Sequence, residues 1–209
     1  MALPCGPASR NKIHILRVLQ NCVEKLNVTN GAIKVLEIAS GTGEHAAYFA
    51  SQIPNILLQP SEPQADMKAS IEAWCEGIDN VLPTISRPVE TICKECLPDP
   101  LQSGVDIIVC INMIHISPFQ STKELFRTAG NISRPGTMAL LYGPFRVHGA
   151  MVASNVAFDE SLKSRNPEWG IRDLEEVERI ACDEGNFVLE SVTDMPANNL
   201  CVVFQKRDT

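Results

Sequence analysis

No cluster of basic residues stands anywhere in this chain of 209 residues, in which 18 Lys and Arg face 25 Asp and Glu for a formal charge of -7. A surface of that balance has no general affinity for a nucleic-acid backbone or an anionic membrane. Long apolar runs are missing too. Ile107 to Ile111 is far too short to cross a bilayer, and Met1 to Arg10 lacks the charged start and apolar stretch of a signal peptide. The expected setting is soluble and intracellular, cytoplasmic or nuclear, with no membrane. No repeat or low-complexity tract interrupts the sequence, and 44% hydrophobic content is enough for one substantial core, so residues 1–209 are expected to form a single domain. A second C-x-x-C is also missing. Cys93-Lys94-Glu95-Cys96 stands alone, and Cys22, Cys75, Cys110, Cys182 and Cys201 lie in apolar patterns as small hydrophobes, so no metal is expected.

What the chain does have is the stretch from Val35 to Phe49: an apolar run, a glycine turn and a helical pattern. Val35 to Ala39 reads as a strand buried on both faces. Gly41 and Gly43 allow the backbone to take φ > 0 and to stand close to a ligand. Strand, glycine turn and helix in this order open a nucleotide-cofactor fold, with the ligand outside the carboxyl ends of the strands. The spacing alone also fits a dinucleotide site. The charges separate the two. Glu37 and Glu44 would repel a pyrophosphate at the helix N-terminus, whereas they would attract a sulfonium and an ammonium group. The ligand expected on this ground is S-adenosylmethionine rather than NAD.

Taken in order, Ser9 is a candidate cap for a helix over about 9–26, and Asn30-Gly31 ends the connection that follows. Asn55 to Gln59 reads as the second strand. Glu62 lies 21 residues after Gly41, where such folds place the carboxylate that accepts from ribose hydroxyls; it can equally begin the next helix beside Pro63. Gln64 to Glu76 is a helix ended by Gly77. Pro83 and Pro88 restrict a third strand between Val81 and Glu90 to a short or edge position. Val105 to Ile111 is the clearest buried strand and delivers Asn112 and His115 to the carboxyl edge. Ser121 to Glu124 has the form of a capping box, and Thr137 to Tyr142 is the next strand. Residues 143–170 form a polar, periodicity-poor insertion, a candidate lid. A helix through Leu174, Val177 and Ile180 follows, then Phe187 to Val192 and Leu200 to Gln205 as a closing hairpin. The expected fold is α/β: a Rossmann-like, mainly parallel seven-stranded sheet with an antiparallel last strand and helices on both faces.

Several of these stretches together resemble the family of methyltransferase-like protein 26, small class I methyltransferase-like proteins once described as a domain of unknown function. The resemblance spans nearly everything from Ser9 to Val203. It rests on Arg10-Asn11-Lys12, Leu36 to His45, Gln59 to Glu62, Asn112 to Pro118, Tyr142 to Phe145, Ser154-Asn155, Phe158-Asp159 and Trp169 to Asp173. It implies a class I fold and S-adenosylmethionine held by Glu37, Ser40, Gly41, Thr42, Gly43, His45, Glu62 and Asn112. The chain departs from its relatives at Arg87-Pro88, where they carry an aspartate.

Methyl transfer needs mainly an in-line arrangement, and a base only when the acceptor must lose a proton. His115 beside Asn112 can be that base, or can hydrogen-bond a backbone carbonyl beneath the pocket. Arg10, Asn11, Tyr142, Asn155, Asp159 and Arg172 can line the acceptor pocket from lid and N-terminus, or tie down the loops. The leading expectation is a methyltransferase acting on an unidentified small-molecule or protein acceptor. A cofactor-binding module without turnover and an NAD(P)-dependent oxidoreductase are the alternatives.

Overall fold

The structure, a computed structural model, describes residues 1–28 and 31–208. Asn30, expected to end the first connection, lies outside the described residues. The chain runs through α1 (Gly6–Leu26), β1 (Ile33–Ile38), α2 (Glu44–Gln52), β2 (Ile56–Ser61), α3 (Ala65–Trp74), the short α4 (Asp99–Gln102) and β3 (Val105–Ile111). It continues through α5 (Phe119–Ile132), β4 (Ser133–Gly143), β5 (Phe145–Arg146), α6 (Ala153–Arg165), β6 (Arg172–Asp173), α7 (Leu174–Gly185), β7 (Phe187–Met195) and β8 (Asn199–Lys206).

Six strands form the main sheet in the order β2-β1-β3-β4-β8-β7. The first four are parallel, and β8 runs antiparallel to both of its neighbours. The antiparallel last strand is as expected, but among the described residues the main sheet has six strands rather than seven. Where the prolines fall, the chain pairs with β2 only through isolated bridges from Val81 to Leu58 and from Ile85 to Ser61. Pro83 has no N–H to continue a ladder there.

Alternate residues of each strand feed two cores. Leu36, Ile108, Leu141 and Phe204 face the side covered by α5 and α7. Val35, Ile107, Leu140 and Val203 face the other, where α1 and α2 pack through Ile15, Leu19 and Phe49. On the first side α5 and α7 touch at glycine: a Cβ on Gly130 would stand 2.9 Å from the Gly185 Cα.

Three local expectations are corrected. Helix α1 begins at Gly6, with Pro7 in its first turn, so Ser9 is inside the helix and caps nothing. Helix α5 begins after Pro118, two residues before the expected capping box, and Thr122 is buried. The insertion over 143–170 is not irregular: it holds β5, paired with β6, and the 13-residue α6.

The order of the strands positions the site. From β1 the chain moves outward to β2, then returns to the other side of β1 as β3. At such a switch point the loops after the two strands diverge and leave a crevice at their carboxyl ends. Ile38 pairs with Cys110 and Ile111 with Tyr142, so the turns after β1, β3 and β4 emerge side by side.

Candidate functional site

The turn after β1 is fastened to the end of β2. The Ser61 hydroxyl donates to the Glu37 carbonyl at 2.8 Å, and the Ser40 amide donates to the Ser61 carbonyl at 2.9 Å. Within the turn Ala39 has φ 54° and Gly41 φ 55°. The two glycines serve different ends. A Cβ on Gly43 would stand 2.5 Å from the Ile71 Cα, so Gly43 lets α2 and α3 approach, whereas a Cβ on Gly41 would meet nothing within 4 Å. Gly41 faces open space.

One carboxylate binds its amide, and a second stands near the end of β1. Glu62 accepts from the Gly41 amide at 3.0 Å through Oε2 and from the Gln64 amide at 3.1 Å through Oε1. A carboxylate has about four lone-pair positions, so acceptor capacity remains. Glu37 is 2% exposed, and its Oε2 has no hydrogen-bond partner among the described residues. Burial pushes the Glu37 carboxyl up to about 7; the Ser40 hydroxyl partly offsets this and the charge of Glu62 adds to it. A buried, unsatisfied carboxylate oxygen is costly unless a cation or donor reaches it.

Glu44 and His45 are directed elsewhere. Glu44 accepts from the Ser9 hydroxyl at 2.6 Å, from Lys12 Nζ at 3.0 Å and from the Cys5 amide at 3.3 Å. Its charge is spent on docking α1, so it is Glu62, not Glu44, that joins Glu37 at the glycine turn. The His45 ring meets Asn11 Oδ1 at 2.7 Å, and burial pulls its pKa down to about 4, with the charge of Glu44 acting against this and Lys12 with it. Thr42 turns its carbonyl to the Ser70 hydroxyl at 2.8 Å.

Beyond β3 lies a cavity of about 670 Å³ under α6, lined by Asn112 and His115 from the β3 loop, Tyr142 from β4, Arg10 and Asn11 from α1, and Asn155 from α6. Asn112 has φ 61° and donates its amide to the Tyr142 carbonyl at 2.8 Å, which bends the loop into the crevice. His115 is buried, and its Nδ1 has no hydrogen-bond partner among the described residues. It therefore does not brace a carbonyl through that atom. The ring lies edge-on to Phe158 with centroids 6.0 Å apart, and fits only because residue 143 is glycine: a Cβ there would stand 2.8 Å from His115 Cε1. Burial pulls the His115 pKa down to about 4, aided by the charge of Arg172.

Asp159 and Arg172 do not line this cavity. Asp159 accepts from the Ile171 amide at 2.7 Å and from Lys163 at 2.6 Å. Arg172 donates to the carbonyls of Ile114 at 2.9 Å and Ser117 at 2.7 Å, so it holds the His115 loop from outside. Phe158, Arg165 and Asn199 line the cavity and escape sequence reasoning. The pairing of Ser154-Asn155 with Phe158-Asp159 is a one-turn spacing that signals a helix there; Asn199 has no local signal.

Set against solved structures, the chain is similar to the S-adenosylmethionine-dependent methyltransferase SibL in its apo form, with TM-score 0.75 and 15% identity over 96% of this chain and 56% of that one. It is similar to human N-acetylserotonin methyltransferase in complex with SAM, with TM-score 0.74 and 11% identity over 96% and 53%. The mitomycin 7-O-methyltransferase MmcR gives 0.70 and 15% over 91% and 54%. At these identities the likeness is one of fold, that of class I methyltransferases. The chain spans about half the length of each. A family model described as "Protein of unknown function (DUF938)" matches residues 4–206. With nearly the whole chain matched, this protein belongs to the DUF938 family of proteins of unknown function.

Proposed function

We propose that residues 1–209 act as one S-adenosylmethionine-dependent methyltransferase domain of the kind that methyltransferase-like protein 26 represents. The observation that carries this reading is the unpartnered, buried Oε2 of Glu37, close enough to feel the charge of the Glu62 carboxylate that accepts from the Gly41 amide. Those residues fit a cationic ligand. Glu37 takes an ammonium group, Glu62 the ribose hydroxyls, and Ser40, Gly41, Thr42 and Gly43 shape the backbone that passes them, with Asn112 across the crevice. A pyrophosphate fits poorly. The Gly41 amide already donates to Glu62, and two carboxylates adjoin the place where its charge would rest. His45 contributes through Asn11 by holding α1 against the site.

Bound S-adenosylmethionine supplies a methyl group on a sulfonium, a carbon open to in-line displacement. The chain's own residues then have to hold the acceptor in line and exclude water. Tyr142, Asn11 and Asn112 offer neutral polar groups around the cavity floor, and Phe158 and Ile116 offer apolar ones. His115, neutral at physiological pH because of its burial, is in the form that takes a proton from an acceptor hydroxyl or amine.

Calorimetry with S-adenosylhomocysteine and with NADH tests the cofactor assignment: binding of the first and not the second is expected, and the reverse order overturns it. Turnover is tested by incubating the protein with a methyl-labelled donor and a metabolite extract. His115→Ala should abolish whatever labelling appears while leaving S-adenosylhomocysteine affinity within about twofold, a change below 0.5 kcal/mol.

A further inference from the structure

The cavity under α6 carries charge of one sign. Arg10 and Arg165 line it and no aspartate or glutamate does, although acids outnumber bases in the chain by 25 to 18. Arg127, Arg134, Arg146 and Arg179 are each paired with a carboxylate; among the described residues Arg10, Arg17, Arg87, Arg165, Arg172 and Arg207 are not, and of these six Arg10 and Arg165 line the cavity. Arg165 is nevertheless held in place. Its Nε donates to the Ser161 carbonyl at 3.2 Å and its guanidinium lies 5.7 Å from the Trp169 ring centroid, which leaves its terminal amino groups without a protein carboxylate. The first turn of the 13-residue α6 adds the uncharged Ser154 and Asn155 to the wall, and Arg165 is its last residue. The remaining polar groups, those of Asn11, Asn112 and Tyr142, are uncharged.

The cavity is also the right size for a small molecule. At about 670 Å³ it falls within the range of pockets that enclose most of a ligand of roughly drug size. Its apolar wall suits a flat or aliphatic body.

We propose that the methyl acceptor is a small organic acid, with its carboxylate held by Arg10 and Arg165 at the exposed end of the cavity and the atom to be methylated lying toward Asn112 and His115. The acceptor role rests on the methyltransferase reading above; the preference for a carboxylate does not. Two guanidiniums free of protein acids give a carboxylate charge-assisted, bidentate partners. An amine entering the same space would meet them with like charge.

Benzoate, benzamide and benzylamine share one ring and differ in the charge of the substituent. Their binding to the cofactor-free protein is to be followed by ligand-observed NMR, which detects millimolar affinities. Benzoate is expected to bind at least about tenfold more tightly than benzamide, a difference of about 1.4 kcal/mol, with benzylamine weakest. The preference should shrink as salt rises and vanish in an Arg10→Ala, Arg165→Ala double variant whose melting curve matches the parent. Equal binding of benzoate and benzamide, tighter binding of benzylamine, or no binding of any probe overturns the proposal, and none of these depends on a variant. Calorimetry with S-adenosylhomocysteine on the same sample keeps the two readings apart. S-adenosylhomocysteine binding without carboxylate preference sinks only the acceptor class, and carboxylate preference without S-adenosylhomocysteine binding sinks only the methyltransferase.

Discussion

Replacing Glu37 by glutamine removes one charge and keeps the shape. In the folded protein burial holds the Glu37 carboxyl at about 7, against 4.5 in the open chain. The native state therefore keeps a proton that the unfolded chain has already released. The stability this residue contributes is fully present below about pH 4.5 and is lost as pH rises to about 7. A gap of roughly 2.5 units corresponds to about 3 kcal/mol. Glu37→Gln should accordingly be more stable than the parent at pH 8 by up to about 3 kcal/mol, or about 10 °C in melting temperature for a chain of this size, and the two should converge near pH 4.5. Buried His45 and His115 act in the opposite sense, since both are lowered to about 4 and lose stability as pH falls from about 6.5. The difference between variant and parent cancels them. Chemical denaturation at half-unit steps from pH 4.5 to 8 is the assay. Saturating S-adenosylhomocysteine should invert the order at pH 8, because the ligand's ammonium partners the parent carboxylate and finds no charge in the variant. Binding near pH 6 should also release part of a proton, visible as a buffer-dependent heat. Parallel denaturation curves, or a parent more stable than the variant at pH 8 without ligand, would refute the reasoning.

Gly41→Ala and Gly43→Ala should separate. The first meets open space and only a left-handed backbone, so it costs about 1–2 kcal/mol of stability and weakens S-adenosylhomocysteine binding. The second drives a Cβ into the Ile71 backbone at 2.5 Å and should cost more stability, read by denaturation of both variants side by side. Gly143→Ala displaces the His115 ring and should lower any methylation rate much more than it lowers cofactor affinity, a split visible when calorimetry and turnover are compared. Ala39→Gly relieves a residue at φ 54° and should leave stability unchanged or raise it by up to about 1 kcal/mol, whereas Ala39→Val, branched at Cβ, should lower it.

How much of this was legible from residues alone depends on how each element is stabilised. β1, its glycine turn, Glu62 and the closing hairpin were readable because local pattern and tertiary environment agree: apolar strands buried on both faces, with small residues where the chain turns. Helix α6 was hidden because it is fixed by polar side chains. Its buried residues are Asn155, Asp159 and Leu162, so no apolar period marks it. Ser9 looked like a cap and is a long-range donor to Glu44, 35 residues away, a contact no local window contains. Glu44 looked like part of the cofactor cradle and is neutralised by Lys12 from α1. The charge argument paired Glu37 with Glu44, whereas the carboxylate that meets the Gly41 amide is Glu62. Asp159 and Arg172 were grouped with the pocket because they share its loops, and the structure uses them to hold those loops in shape.

The cavity draws its walls from both extremes of the fold, with Cys5 and Arg10 near the start of the chain and Asn199 at the beginning of the final strand. Until β7 and β8 are in place, the wall that Pro196, Ala197 and Asn199 supply is missing, so the chamber under α6 closes only when the first helix and the final hairpin meet.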